Sequence, residues 1–135
     1  MITFDGVGEW ATTTVSIGRG NDLELQKEIR FPHSIGLLYS AFTAFLGFEV
    51  NEGEYKVMGM APYGQPKYRD RIWEVVTQFE DGSFWLDPAY FSFHNSTSRS
   101  YTNKFVKLFG APREPETEFF TELTGYPSYF GAKPA

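Results

Sequence analysis

Three segments near the start of the chain alternate in the way that β-strands do, and short turns separate them. Residues 2–4 are apolar, residues 11–17 alternate through three threonines, and residues 23–31 alternate again. Asp5-Gly6 and the run 18–22 are typical turn sequences. Because turns this short join neighbouring strands, the pattern predicts a three-stranded antiparallel meander. In the third strand, the residues predicted to face inward are Leu23, Leu25, Ile29 and Phe31.

A helix signal follows the third strand directly. Ser34 is suited to cap a helix start, since its hydroxyl can accept a hydrogen bond from an unpaired backbone N–H. The apolar side chains that recur at helical spacing after it are Ile35, Leu38, Phe42 and Phe45. They give one apolar face, so the helix is predicted to be largely buried, with Gly47 just past its end. A meander with packed helices belongs to the α/β (α+β) class.

The rest of the chain gives weaker signals, and we interpret residues 1–135 as one domain. Residues 1–80 are predicted to hold the core strands and helices, and residues 81–135 to be β-rich and irregular. Within these parts we predict a loop over 48–66, a helix over 66–77 and an aromatic β-region over 84–93. A short helix is predicted to be capped by Asn103, to run through Phe109 and to stop at Gly110, with irregular structure beyond Pro112.

Composition excludes several classes of function. The net charge is −5 with no cluster of Lys and Arg, which argues against a nucleic-acid partner. No apolar run reaches the ~20 residues that span a bilayer, and Asp5 and Glu9 interrupt any signal peptide. The chain has no cysteine, and hence no disulfide framework or thiolate site. We therefore expect a cytoplasmic protein.

The first candidate for chemistry is the Asp5-Gly6-Val7-Gly8 turn at a strand end. Glycines let the backbone approach an anion closely, and N–H groups in such a turn can point at phosphate oxygens. A carboxylate at that position can bind a metal ion or orient a hydroxyl group. The alternative is a tight turn with a solvated aspartate.

Other polar residues give ambiguous signals. Glu52, Glu54 and Lys56 are either a solvated face or a group in which the lysine contacts phosphate and a carboxylate acts on a hydroxyl. His33 either donates to a ligand or satisfies the helix start, and His94 is interpreted as a surface residue. The two histidines are too far apart in sequence to form a helical metal-binding pair.

Three motifs in order resemble one family. They are FDGVGEWATT at 4–13, PHSIGLLYSAFT at 32–43 and NEGEYKVMGMAPYG at 51–64. Together they look like the carbamoyltransferases of the nodulation-protein-U and antibiotic-carbamoylating type. The resemblance covers most of residues 1–68 and weakens from about residue 80, where the 109–110 and 112–116 regions still match.

This resemblance implies an actin-like ATPase (ribonuclease H-like) domain within an ATP-dependent O-carbamoyltransferase. In that family a separate domain makes carbamoyl-adenylate from carbamoyl phosphate and ATP. The actin-like domain then transfers the carbamoyl group to the hydroxyl of a small molecule, such as a sugar or an antibiotic, at an iron-type divalent metal ion. The partners implied are therefore carbamoyl phosphate and a hydroxyl-bearing small molecule, with no nucleic acid and no membrane.

The resemblance also implies roles for particular residues. Asp5 stands where the family has a metal ligand. The residues that match the nucleotide or carbamoyl-adenylate pocket are Gly6, Gly8, Gly36, Glu54 and Lys56. The family's pair of histidine ligands belongs before Asp5, and its later aspartate ligand and adenylate-forming domain also lie outside this sequence. We therefore expect a fragment that is inactive alone, binds no cofactor, and forms homodimers through apolar surface normally covered in the parent.

Two other functions remain open at this stage. An actin-like ATPase or sugar kinase can use a similar Asp-Gly loop, and ATP hydrolysis without carbamoyl phosphate would favour it. A non-catalytic carbohydrate-binding or assembly domain would use exposed aromatic residues, among them Trp85 and Tyr90. Loss of binding after replacement of those aromatic residues, but not of Asp5, would favour this last function.

Overall fold

The amino-terminal sheet is an antiparallel meander, as predicted. The computed structural model describes residues 1–93 and 99–115. Strands β1 (Ile2–Phe4), β2 (Ala11–Arg19) and β3 (Asp22–Arg30) form one sheet in the order β1-β2-β3. Both strand pairs are antiparallel. Gly20 has a φ of 62°, and this left-handed backbone allows the tight turn between β2 and β3.

The prediction for the inward residues of β3 is wrong for two of them. Leu23 and Leu25 are 56% and 54% exposed, whereas Ile29 and Phe31 are half-buried. The β2–β3 hairpin is buried mainly at the end where Thr12 and the start of the next helix pack, with Ser16 also buried in the middle of β2. Its outer end is not covered by any described residue, so alternation there does not produce burial.

Helix α1 (Ile35–Phe45) has the termini that its sequence predicts. The Ser34 hydroxyl accepts a hydrogen bond from Leu37 N at 3.1 Å, and Gly47 takes a left-handed φ of 76°. Burial is less complete than expected, because Ile35 is 39% exposed. The buried residues lie in the carboxyl-terminal half of the helix and include Ala41 and Phe45.

The segment predicted as a long loop contains helical structure. Helix α2 spans Glu54–Met60 and continues into a 3₁₀ turn, Ala61–Tyr63. Gly53 precedes the helix and is buried, with no space for a side chain: a Cβ atom there would lie 2.6 Å from Phe48 Cβ. Of the residues that indicated a loop, Gly53 instead provides close packing, and Pro62 lies in the first turn of the 3₁₀ helix.

The second predicted helix is shorter than expected at both ends. Helix α3 spans Arg69–Val75, and strand β4 (Val76–Gln78) follows it at once. Val76 is buried and pairs with Leu86 of strand β5 (Phe84–Leu86), so burial of a β-branched side chain favours the strand there. Helix α4 spans Asn103–Phe109, but its cap is Thr102 rather than Asn103.

The core is an aromatic cluster built around helix α4. Phe105 is fully buried, and its ring centroid lies 4.5 Å from that of Phe109 and 5.1 Å from that of Phe42. The buried apolar residues come from helices α1, α3 and α4, from the β4–β5 pair, and from the connecting residues Tyr90, Phe91 and Tyr101. The fold is thus a mixed α/β domain with antiparallel sheets and packed helices. His94 and residues 116–135 lie outside the described residues.

Candidate functional site

The Asp5 loop connects β1 to β2 and is held at both of its ends. Asp5 N–H donates to Thr12 O at 2.9 Å, which continues the β1–β2 pairing past the strand. The carboxylate Oδ1 of Asp5 accepts from Gly6 N at 2.6 Å. The side chain is exposed, and no described residue makes a hydrogen bond to its second oxygen, Oδ2. The loop therefore presents one carboxylate oxygen outward.

The loop needs an unusual backbone conformation where it turns back toward strand β2. Gly8 has a φ of 55°, and a Cβ atom there would overlap with Ala11 O. Trp10 also has a positive φ, of 91°, and its side chain is 70% exposed. Gly8 thus serves the shape of the loop, whereas a Cβ atom on Gly6 would meet nothing within 4 Å.

Two buried hydroxyl groups connect the loop to helix α1. Ser34, which is fully buried, donates from Oγ to Asp5 O at 2.9 Å. Thr12 is 1% exposed, and its single hydroxyl hydrogen is shared between two acceptors, His33 O at 2.5 Å from Oγ1 and Ile29 O at 3.1 Å. The first turn of α1 is thereby fixed to the end of β1 and to the start of β2.

Gly36 lies directly against the Asp5 loop. A Cβ atom on Gly36 would be 2.9 Å from Asp5 O and 2.9 Å from both N and Cα of Gly6. These are backbone atoms, which cannot move aside as a flexible side chain can. The structure therefore brings three of the predicted site residues, Asp5, Gly6 and Gly36, into contact, with Gly8 in the same loop.

Glu54 lies at the start of helix α2, where it fastens that helix to α1. Its carboxylate accepts from Asn51 N at 3.0 Å and from Ser40 Oγ at 3.2 Å, and its carbonyl accepts from the Tyr39 hydroxyl at 2.8 Å. Burial acts to raise the pKa of Glu54, but these hydrogen bonds to the charged form outweigh it and lower the pKa.

Lys56 is exposed on helix α2. Its Nζ lies 5.8 Å from the centre of the Phe48 ring and 5.9 Å from that of Tyr55, both within the range of cation–π contacts. Glu54 and Lys56 therefore lie on the element next to α1 and do not contact the Asp5 loop through any recorded hydrogen bond. Helix α1 contacts both the Asp5 loop and the start of helix α2, so it is the element that connects the two groups of residues.

His33 has a structural role, but its side chain contacts strand β5 and does not satisfy the helix start as the sequence suggested. Its Nδ1 accepts from Leu86 N at 3.1 Å, and its ring lies 3.8 Å from the ring of Trp85, centroid to centroid. Burial lowers the pKa of His33, which favours the neutral imidazole that this hydrogen bond requires. His33 thus joins the start of α1 to β5.

The Asp5 carboxylate fits a divalent metal ion as one ligand of several. A carboxylate oxygen is a suitable donor for such ions, but a single donor does not hold one. Among residues 1–93 and 99–115, no three His, Cys, Asp or Glu side chains are grouped to hold a metal ion together. The described residues therefore do not hold a complete set of such side chains.

Sequence reasoning missed the contribution of Thr12 and half of the contribution of Ser34. The helix signal identified Ser34 as a cap, but its hydrogen bond to Asp5 joins residues that are 29 positions apart. The available signal for Thr12 is a polar residue at an inward strand position next to the loop. Such a residue requires a partner when it is buried.

The sequence of residues 1–120 matches the family described as Carbamoyltransferase N-terminus. The chain belongs to this family. The match includes the Asp5 loop, helix α1 and helix α2, and it extends through helix α4. The family assignment that the three motifs indicated is therefore confirmed.

Related proteins are much longer than this chain. It is 55% identical over 120 residues to the uncharacterized protein sll1178 of Synechocystis sp., which covers 87% of this chain and 19% of that protein. It is 33% identical over 85 residues to nodulation protein NolNO of Sinorhizobium fredii, and this match covers 62% of this chain and 12% of that protein. It is 36% identical over 81 residues to nodulation protein NolO of Bradyrhizobium diazoefficiens, covering 58% and 14%. The chain thus spans less than a fifth of the length of these relatives.

The structure adds one observation about membranes. Within residues 1–93 and 99–115, none of the helices has the length and apolarity needed to cross a bilayer.

Proposed function

We propose that this carbamoyltransferase domain contributes the Asp5 loop to the carbamoyl-transfer site of an ATP-dependent O-carbamoyltransferase. The observation that carries the proposal is the convergence of Asp5, Gly6 and Gly36, since residues from two family motifs meet at one exposed carboxylate. Membership of the carbamoyltransferase family supports the reaction type. The actin-like architecture of the whole domain is part of the same proposal.

In this function the donor is carbamoyl-adenylate, made from carbamoyl phosphate and ATP elsewhere in the parent protein. The acceptor hydroxyl, on a sugar or an antibiotic-like small molecule, attacks the carbamoyl carbon. A carbon–oxygen bond forms to the acceptor, the bond to the phosphate oxygen breaks, and AMP leaves with the bonding electron pair. The hydroxyl proton is released to solvent, and the product is a carbamate ester.

Asp5 provides one ligand to a divalent, iron-type metal ion in this proposal. Such an ion, when bound, supplies Lewis-acid polarisation of a carbonyl group. The other donors come from parts of the parent beyond the described residues. Asp5 Oδ1 is already held by Gly6 N–H, so Oδ2 is the oxygen that faces a metal ion.

The glycines act through the backbone. Gly8 gives the loop its return, and Gly36 lets the first turn of α1 approach the loop so closely that no side chain intervenes. Glu54 and Lys56 form the outer part of the pocket on the helix that is fastened to α1. In this proposal, they determine the shape and the charge of the surface that the nucleotide contacts as it enters the pocket.

The test is the replacement Asp5→Ala in the full-length protein, supplied with ATP, carbamoyl phosphate and a hydroxyl acceptor. Pyrophosphate release and carbamoylated product are measured separately. We expect pyrophosphate release to persist and product formation to fall by at least about 100-fold, because only the transfer half-reaction uses Asp5. Product formation at the original rate would contradict the assignment.

The chain offers a matched control for this test. Asp81 is also followed by glycine, and its Oδ1 accepts from Ser83 N at 3.0 Å within an exposed turn. Asp81→Ala should leave both half-reactions intact. ATP hydrolysis in the absence of carbamoyl phosphate, abolished by Asp5→Ala, would instead indicate an actin-like ATPase or sugar kinase.

A further inference from the structure

Ser34 occupies a buried position between the Asp5 loop and helix α1. It has no exposed surface, and its Oγ donates to Asp5 O at 2.9 Å while accepting from Leu37 N at 3.1 Å. A serine hydroxyl has one hydrogen to donate, so the donor is committed to the loop. The same oxygen therefore satisfies one group of the loop and one group of the helix.

This hydroxyl is one link of a closed circuit of hydrogen bonds. Asp5 N–H donates to Thr12 O, Thr12 Oγ1 donates to His33 O, and Ser34 Oγ donates back to Asp5 O. The circuit joins the end of β1, the start of β2 and the residues that precede α1. Both backbone polar groups of Asp5 are engaged in it, so the backbone that carries the carboxylate is fixed.

Steric contact reinforces the circuit. Gly36 places the helix backbone where even a Cβ atom would be 2.9 Å from Asp5 O and from Gly6 N. The loop therefore packs against the backbone of α1 and also accepts a hydrogen bond from Ser34, the residue that caps this helix. The carboxylate itself makes no recorded hydrogen bond to Ser34, so any effect of Ser34 on the carboxylate passes through the loop backbone.

We propose that Ser34 is a positioning residue that holds the Asp5 carboxylate in the orientation needed to bind a metal ion. This inference rests on the proposed function, in which Asp5 is a metal ligand. Removal of the hydroxyl leaves Asp5 O without its buried donor and Leu37 N without its cap. The loop then separates from α1, and the carboxylate is no longer fixed in place.

A residue with the same structural job but no connection to Asp5 provides the control. Thr102 caps helix α4: its Oγ1 donates to Ala89 O at 2.8 Å and accepts from Phe105 N at 3.4 Å. It thus joins a helix start to a distant carbonyl, as Ser34 does. Thr102→Ala should lower stability in the same way as Ser34→Ala and leave metal binding unchanged.

The experiment measures binding of Co²⁺ alone to the full-length protein by calorimetry, together with thermal unfolding. For Ser34→Ala we expect about tenfold weaker binding or more, as is typical when partners of a ligand are removed. Ser34→Thr keeps a hydroxyl and should restore most of the affinity. Gly36→Ala should also weaken binding, because it pushes the loop away without removing any polar group.

The outcomes distinguish failure of the positioning role of Ser34 from failure of the proposed role of Asp5 as a metal ligand. If Asp5→Asn weakens Co²⁺ binding but Ser34→Ala does not, the positioning inference is wrong and the proposed function stands. If Asp5→Asn has no effect, Asp5 is not a ligand and both fail. Equal losses for Ser34→Ala and Thr102→Ala would show general destabilisation and overturn the inference. If Ser34→Ala does not fold, unchanged affinity in Gly36→Ala overturns it.

Discussion

At the scale of single residues, strand β2 places two neighbouring threonines in opposite situations. Thr12 and Thr13 are both buried, at 1% and 7% exposure. Thr12 has two carbonyl acceptors, His33 O and Ile29 O, whereas Thr13 Oγ1 has no hydrogen-bond partner among the described residues. A buried hydroxyl without a partner keeps its desolvation cost, so these adjacent side chains make opposite contributions to stability.

The pair gives a direct prediction for stability. Thr13→Val removes an unpaired hydroxyl from a strand at nearly constant shape and should raise the free energy of unfolding by about 1 kcal/mol. Thr12→Val removes the only donor that reaches His33 O and Ile29 O from this side chain, and it should lower the same quantity by about 1–3 kcal/mol. Denaturant unfolding of the two variants beside the parent chain measures both. Equal changes for the two variants would contradict this account.

The residue scale also shows what sequence can and cannot predict. Ser34 and Gly47 were predicted correctly because caps and helix ends depend on neighbours within one turn of helix. The hydrogen bond from Ser34 to Asp5 and the contact of Gly36 with Gly6 depend on how α1 docks against the sheet. Local signals carry no information about such docking, so the resemblance suggested Asp5, Gly6 and Gly36 without the contacts that join them, and it gave no role to Ser34.

At the scale of elements, helix α2 is the clearest difference between expectation and structure. Its seven residues, Glu54–Met60, follow glycine and precede proline, and such a sequence is a loop by local preference. The helix gains its stability from attachment to α1 through Glu54, Ser40 and Tyr39. Short helices depend on tertiary contacts more than on intrinsic propensity, which is why the sequence pattern missed it.

This attachment predicts a pH-dependent effect of Glu54. Glu54→Ala should lower the free energy of unfolding at pH 7 by about 1 kcal/mol. Because hydrogen bonds lower the pKa of Glu54 in the folded state, its stabilisation is complete above its ordinary value of 4.5 and is lost as pH falls through the folded-state value. The difference between variant and parent should therefore diminish at pH 3.

The control for this prediction lies two residues away. Glu52 is exposed, and no described residue is recorded in a hydrogen bond with its carboxylate, so Glu52→Ala should change stability little at either pH. Thermal unfolding of both variants at pH 7 and pH 3 separates a specific attachment from a general charge effect. A loss for Glu54→Ala that is the same at both pH values would contradict the role of the ionised carboxylate.

At the scale of the whole molecule, the apolar residues are unevenly covered. The aromatic cluster around Phe105 is well packed, but the sheet exposes Ile2, Phe4 and Ile17 at 60%, 63% and 45%. Register places Ile2 beside Val15 and Phe4 beside Thr13, so part of this apolar surface is continuous across β1 and β2. The expected homodimer remains a prediction, and this surface is where it is to be sought.

The net charge of the chain should make this self-association depend on pH. The chain carries −5 at pH 7 and has a sequence pI of about 5.0, so mutual repulsion disappears near pH 5. We expect sedimentation velocity at constant ionic strength to show more self-association of the 135-residue chain at pH 5 than at pH 8. Ile17→Thr, which leaves charge unchanged, should reduce it. A monomer at both pH values would contradict the prediction.

The link between Asp5 and Ser34 also has a consequence for the order of folding. The β2–β3 hairpin forms from neighbours in sequence, whereas this hydrogen bond closes a loop between residues 29 positions apart. The carboxylate loop therefore acquires its final shape only when α1 docks, after the hairpin has formed. By the same reasoning, we expect a local opening that detaches the first turn of α1 to release the loop while the sheet stays paired, so the loop loses its shape before the fold is lost.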